Sequence, residues 1–230
     1  PKGTISFLKS GEFNIKKMIN ITKKWSGLKN LDLAKKVSTK KNYVWKDFKT
    51  WKKGEGFTKN IKRSLHVVVI DYGMGNLGSV INALQFLNEE ALIISRPENI
   101  ADCRALIVPG VGAFGDCAAH LQQRNFDNQL KEWISAGKPL MGICLGLQIL
   151  FDESEESPGV EGLGIFSGTV KKFRLSKQLK VPQIGWNKLF IKNKCCPMFK
   201  NINDEDYFYL VHSYYVHSDD KAIIAGETDY

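Results

Sequence analysis

Cys144 stands in the string Gly142-Ile143-Cys144-Leu145-Gly146. A cysteine flanked at two residues on either side by glycine is the sulfur version of a nucleophile elbow. Residues 139–143 are an apolar run that reads as a short buried strand, and residues 145–151 read as the start of a buried helix. A strand that turns straight into a helix strains the residue at the joint, and bulky neighbours would clash there. The turn lifts the sulfur out of the sheet. It also sets the sulfur over free N–H groups at the helix start, which favour thiolate over thiol. A thiolate is the attacking species in acyl transfer. The competing reading is a structural cysteine packed between two elements, which suits a lone free cysteine better. The flanking glycines and the strand-to-helix switch favour the nucleophile.

Acyl transfer also needs donors for the negative oxygen that forms on the attacked carbonyl. The string Pro109-Gly110-Val111-Gly112 offers backbone N–H groups for such an oxyanion hole. Taken alone it reads more readily as a tight turn. A second glycine turn, Asp71-Tyr72-Gly73-Met74-Gly75-Asn76, is not a dinucleotide fingerprint. It lacks the third glycine at the required spacing, and no acidic residue closes a following strand on a ribose.

The elements that must hold these strings alternate. Residues 65–71 form a continuous β-branched run, as expected of a central parallel strand. Asn76 can cap a helix over residues 77–87. Residues 91–94 and 105–110 read as further strands, and residues 116–124 and 126–136 as amphipathic helices. Strands alternating with helices predict a parallel sheet covered on both faces. Ligands in such sheets sit at the C-terminal ends of the strands. The loops after Asp71 and Val108 and the turn at Cys144 all lie at that edge. Beyond Asp152 comes an acidic, glycine-bearing loop. Residues 168–174, 181–191 and 207–212 then have strand-like content, predicting a mixed or antiparallel extension on the parallel core.

Of the 230 residues, 33 are Lys or Arg and 24 Asp or Glu, a net charge of +9. Residues 1–65 hold 18 of the basic residues and only 4 acidic ones; the remainder holds 15 and 20. The basicity belongs to the front segment, so nucleic-acid or acidic-membrane binding by the whole chain does not follow. The division predicted is a lysine-rich segment over 1–65 and a domain over 66–230. Three origins compete for the front segment: the end of another domain or reading frame, an organelle transit segment, and a basic arm that touches nucleic acid. No apolar run approaches the length of a membrane helix, and the start lacks a secretory core segment. Five cysteines in no framework or zinc spacing fit a reduced, cytoplasmic protein.

The strings DYGMGNLGSV, PGVGAFGD, GICLGLQ, EGLG, VPQIGWN and YFYLVHSYYV follow in this order. Together they closely resemble the glutaminase subunits of imidazole glycerol phosphate synthases, which are class I, triad-type glutamine amidotransferases. The resemblance covers residues 65–230. GICLG is shared by many amidotransferases; PGVGAFGD with the GWN and VHSYY strings is much narrower. The fold it implies is a class I amidotransferase α/β domain, with a central, mostly parallel sheet flanked by helices, an antiparallel extension, and an irregular basic segment in front.

The chemistry it implies starts at Cys144. The sulfur attacks the side-chain amide of glutamine, ammonia leaves, and water cleaves the glutamyl thioester. The ammonia passes through a channel to a (β/α)8-barrel cyclase, which makes imidazole glycerol phosphate and AICAR in histidine biosynthesis. By motif position Gly110, Val111, Gly112 and the Leu145 N–H form the oxyanion hole. Gln148, Glu156, Ser213 and Tyr214 hold the glutamine. A carboxylate such as Glu156 suits the ammonium of a free amino acid. Gly75, Asn76, Trp186 and Asn187 lie toward the partner. No metal or other cofactor is implied, and neither a membrane nor nucleic acid is expected as a partner.

One departure stands out. The family's general base is a histidine in a His-Pro-Glu string, and these 230 residues contain none. His66, His120, His212 and His217 are the histidines present. For His212 and His217 the preferred reading is a strand-end histidine with a satisfied hydrogen bond. The expectation is a chain truncated before that string, with a nucleophile but no base and therefore little activity. Two other readings stay open. A related glutaminase could feed a sugar amidotransferase of surface-polysaccharide synthesis, or the domain could be a non-catalytic docking module.

Overall fold

The computed structural model describes residues 2–6, 66–100, 103–174 and 179–230. The expectations for the front segment therefore fall outside the described residues, except at its first strand.

Four parallel strands make the central sheet: β2 (Val67–Ile70), β3 (Ala91–Ile94), β4 (Ala105–Gly110) and β5 (Leu140–Cys144). Their order is β3-β2-β4-β5. The chain adds β3 on one side of β2 and then β4 on the other. That reversal leaves a crevice between the C-terminal ends of β2 and β4.

All four residues of β2 and all six of β4 are buried, because both faces of the sheet are covered. Alternation decides which face each residue serves. Val68, Ile70, Leu106 and Val108 pack in the cluster that holds helices α2 (Phe114–Gln123) and α3 (Phe126–Ser135), through Phe114, Leu121, Phe126, Leu130 and Trp133. Val67, Val69 and Ile107 pack on the other face with Leu84 of helix α1 (Leu77–Phe86). Each such fully buried apolar side chain contributes about 1.5–3 kcal/mol. Asn76 caps α1 as the sequence predicts, its side-chain oxygen accepting the Ser79 N–H at 3.1 Å.

The elbow helix is shorter than expected. Helix α4 (Leu145–Gln148) is a single turn. By Phe151 the chain is strand again, because β6 (Phe151–Ser154) pairs in parallel with β7 (Phe166–Lys172). A long-range partner overrides the local helical pattern there.

The extension is a four-stranded antiparallel sheet in the order β1-β11-β8-β9, built from β1 (Lys2–Ser6), β8 (Gln183–Ile191), β9 (Tyr207–His212) and β11 (Ile224–Asp229). β10 (Tyr214–His217) joins β7 instead, antiparallel to it. The predicted strands at 168–174, 181–191 and 207–212 correspond to β7, β8 and β9. Strands β1, β6, β10 and β11 were not expected. β1 replaces an irregular start with a strand on the edge of β11. No helix among the described residues is long and apolar enough to cross a membrane.

Candidate active site

Cys144 closes β5 and caps α4 with φ 56° and ψ −115°, a conformation that non-glycine residues seldom adopt. Packing over-determines it. A Cβ on Gly142 would run into the backbone of Gly146, and one on Gly146 would run into the Val108 carbonyl. A Cβ on Gly110 would stand 2.5 Å from the Gly146 nitrogen. Three backbones meet where three side chains are missing. The elbow glycines act as the spacing predicted, and Gly110 is a third member of the same joint.

The register places Gly110 beside Cys144 across the β4–β5 ladder. The loop that follows carries Val111, which is 52% exposed, and Gly112, with φ 99°. Leu145 is buried, and its backbone N–H favours the Cys144 thiolate. Two neighbours hold the loop from behind. Helix α2 starts at Phe114 with Ala113 as N-cap, whose side chain offers no acceptor. The orphan N–H groups go elsewhere: Phe114 donates to the Glu156 carboxylate at 2.9 Å and Gly115 to the Ser157 hydroxyl at 2.9 Å. On the β2 side, the Tyr72 hydroxyl donates to the Pro109 carbonyl at 2.7 Å.

A pocket of about 300 Å³ opens beside the sulfur. Cys144, Leu147 and Gln148 form one wall, and Tyr209, His212 and Tyr214 belong to the other. The Tyr214 carbonyl accepts from Gln148 Nε2 at 3.1 Å and bonds His212 Nδ1 at 2.8 Å. His212 Nε2 is buried and has no partner, while the ring meets Phe173 edge-on with centroids 5.0 Å apart. Burial lowers the His212 pKa, and the Tyr214 carbonyl partly opposes the shift. The preferred reading of His212 therefore holds for one ring nitrogen and fails for the other. Ser213 sits at the bend between β9 and β10, where its carbonyl accepts the Phe173 N–H at 3.1 Å. It is not among the residues that line the pocket.

Electrostatics corrects one expectation. The Cys144 thiol is held above its ordinary range, not below it. The residue is exposed, yet protein packed around the thiol withdraws water from it, and this is the largest effect. The Leu145 N–H opposes the shift, and the Glu156 charge adds to it. A single-turn helix supplies too small a dipole to win. Glu156 is thus near enough for its charge to reach the sulfur while its carboxylate also serves α2.

The residues expected to face a partner divide. Trp186 is 47% exposed and packs on Tyr209 of the paired strand, with ring centroids 5.4 Å apart. Ile184, Tyr207 and Val211 extend this exposed apolar face of β8 and β9. Asn187 is engaged internally, donating to the Asp229 carbonyl at 2.7 Å and accepting from Gln183 Nε2 at 2.6 Å. Asn76 is exposed, whereas Gly75 lies against the Pro109 ring, which a Cβ would approach to 3.1 Å. Sequence reasoning missed Tyr72, Ser157 and the contact between His212 and Tyr214. A serine directly after Glu156 was a visible signal for a second helix cap; nothing local marked the other two.

The family profile "Glutamine amidotransferase class-I" matches residues 68–229. The chain is 43% identical over 167 residues to a Sulfurimonas denitrificans protein named imidazole glycerol phosphate synthase subunit HisH, covering 71% of this chain and 80% of that one. It is 46% identical over 162 residues to the protein of the same name from Caldanaerobacter subterraneus subsp. tengcongensis, covering 70% and 78%. Among solved structures, a glutamine amidotransferase crystal structure superposes with a TM-score of 0.52 at 18% identity, covering 66% of this chain and 74% of that one. At that identity the likeness speaks for the fold alone.

Proposed function

This chain belongs to the class I glutamine amidotransferase family, and on that premise we propose that it is the glutaminase subunit of an imidazole glycerol phosphate synthase. The observation that carries the reading is the strained Cys144 at the end of β5, in register with Gly110 and beside a pocket. Glutamine enters with its side-chain amide at the sulfur. The thiolate adds to the carbonyl carbon, and the N–H groups of Val111, Gly112 and Leu145 steady the oxygen; the Gly110 N–H, expected to join them, is taken by the Ile143 carbonyl in the β4–β5 ladder. Ammonia leaves with a proton, a thioester remains, and water releases glutamate. Gln148, Glu156, Ser213 and Tyr214 hold the amino acid.

The reaction requires a thiolate, and the raised thiol makes that species scarce at neutral pH. A base must take the proton before or during attack. These 230 residues contain no His-Pro-Glu string to supply it, so residues 1–230 alone are expected to turn over glutamine slowly. The released ammonia passes to a (β/α)8-barrel cyclase, docked on the side that carries Gly75, Asn76, Trp186 and Asn187. The identity to proteins named for this synthase supports the cyclase over a sugar amidotransferase as recipient. The amidotransferase domain runs over 66–230, and the reaction is cytoplasmic.

The test is Cys144→Ala in the glutaminase assembled with its cyclase. Glutamate release should vanish while the protein melts as before. Continued release would assign the nucleophile elsewhere.

A further inference from the structure

We propose that His212 is a positioning residue for Gln148: by sharing the Tyr214 carbonyl, it fixes the Gln148 carboxamide with its oxygen toward the ammonium of the glutamine substrate. The inference rests on the reading of Gln148 as a glutamine-holding residue beside a nucleophilic Cys144.

The geometry starts from the free edge of β10, which stands at one end of its sheet with β7 as its neighbour. An antiparallel ladder alternates hydrogen-bonded and non-hydrogen-bonded pairs. The Phe173 N–H goes to the Ser213 carbonyl at 3.1 Å, and the Lys172 N–H goes to the Glu155 carboxylate rather than to its register partner Tyr214. Tyr214 therefore sits in a non-hydrogen-bonded pair, and its carbonyl points away from β7. Two side chains from other elements reach it there. Gln148 of α4 donates from Nε2 at 3.1 Å, and His212 of β9 donates from Nδ1 at 2.8 Å. The two lone pairs of the carbonyl oxygen are then both used.

The chemistry of the acceptor decides both orientations, because a carbonyl cannot donate. Gln148 must turn its NH2 group to Tyr214. Its Oε1, at the other corner of the planar amide, is left as an acceptor in the pocket that Gln148 lines. Burial keeps the His212 ring neutral, so its single proton is the one on Nδ1. His212 ends β9 and Tyr214 begins β10, with Ser213 as the bend between them. The Nδ1 bond thus spans the bend and sets where the carbonyl points. Phe173 braces the same bend, meeting His212 edge-on and stacking on Tyr215 with centroids 4.9 Å apart. Without the Nδ1 donor, the carbonyl and the amide that leans on it lose a fixed direction. Of the groups that free glutamine presents away from the sulfur, the ammonium only donates and the carboxylate only accepts. Oε1 suits the ammonium.

The experiment is His212→Phe in the glutaminase assembled with its cyclase. It keeps a flat ring against Phe173 and removes the donor. KM for glutamine should rise about 10-fold, the lower end of what a hydrogen bond to a charged group is worth, while kcat stays within about threefold. His212→Asn puts an amide N–H near the place of Nδ1 and should return KM to within about threefold of the parental value. 4-Carbamoylbutanoate, which is glutamine without its ammonium, should inhibit the parental and His212→Phe proteins with affinities within about twofold of each other. Gln148→Leu should itself raise KM, and adding His212→Phe to it should change KM no further. Parental KM in His212→Phe overturns the inference. So do equal rises in the Phe and Asn variants, an equal loss of affinity for 4-carbamoylbutanoate, or additive effects in the double variant. If the Phe variant does not fold, His212→Gln, whose N–H stands near the place of Nε2, decides: a raised KM supports the inference and a parental KM overturns it. If Cys144→Ala remains active, the underlying reading fails whatever His212 does. If Cys144→Ala is dead, Gln148→Leu raises KM and His212→Phe is parental, only this inference fails.

Discussion

Gly110→Ala tests the joint on which the site is built. The added Cβ would stand 2.5 Å from the Gly146 nitrogen, 2.8 Å from Leu145 Cβ and 2.9 Å from the Leu145 carbonyl carbon. Two of the three are backbone atoms of the elbow and cannot rotate away. Restoring a separation of about 3.4 Å requires β4 and the elbow to part by roughly 0.5–0.9 Å. Overpacking of this kind costs about 1–3 kcal/mol. At this chain length each kcal/mol is worth about 2–4 °C of Tm, so the melt should drop by about 2–12 °C. The same displacement shifts β4 and the loop that follows it relative to the sulfur. A misplacement near 1 Å can cost about 100-fold in rate, so glutamate release should fall by an amount of that order. Gly78→Ala is the control. It lies in α1, and its Cβ would find nothing nearer than 3.9 Å. It should raise Tm by about 2–4 °C through helix propensity and leave turnover alone. Scanning calorimetry and a glutamate assay on both variants read the result. A Gly110→Ala protein with parental Tm and turnover would refute the close approach of the three backbones.

Other expectations follow from the same geometry. The pH profile of Cys144 alkylation should have its inflection above the ordinary thiol range, and Glu156→Gln should lower it, since removing a negative neighbour favours the thiolate; an inflection that stays put would separate Glu156 from the sulfur. Trp186→Ala on the exposed face of β8 should change Tm by less than about 2 °C yet weaken cyclase binding about 30-fold, as an aromatic anchor does; parental affinity in a binding titration would place the docking surface elsewhere. His212 resists protonation when folded, so the unfolded chain binds more protons as pH falls below about 6.5, and stability should drop with acidification through that range. His212→Gln should flatten that part of the denaturation profile, and an unchanged slope would assign it to another group.

Much of this protein is legible in its sequence because the deciding interactions are local. β2 and β4 are uninterrupted apolar runs, the form a strand covered on both faces must take. Asn76 begins its helix through a bond to a residue three positions on. The elbow glycines follow from a strand meeting a helix at one residue, a constraint contained in five consecutive positions. The order of strings along the chain then carried the family.

What the sequence left open depends on residues far apart in the chain. Helix α4 stops after one turn because β7 offers β6 a strand to pair with. The Cys144 thiol is raised because distant segments withdraw water from it and Glu156 comes close, whereas the local pattern shows only helix N–H groups. Glu156 reaches across 42 positions to cap α2, and Tyr72 reaches across 37 to the Pro109 carbonyl. Periodicity reports which face of an element is apolar. It does not report which buried carbonyl lacks a donor, nor which side chain supplies it.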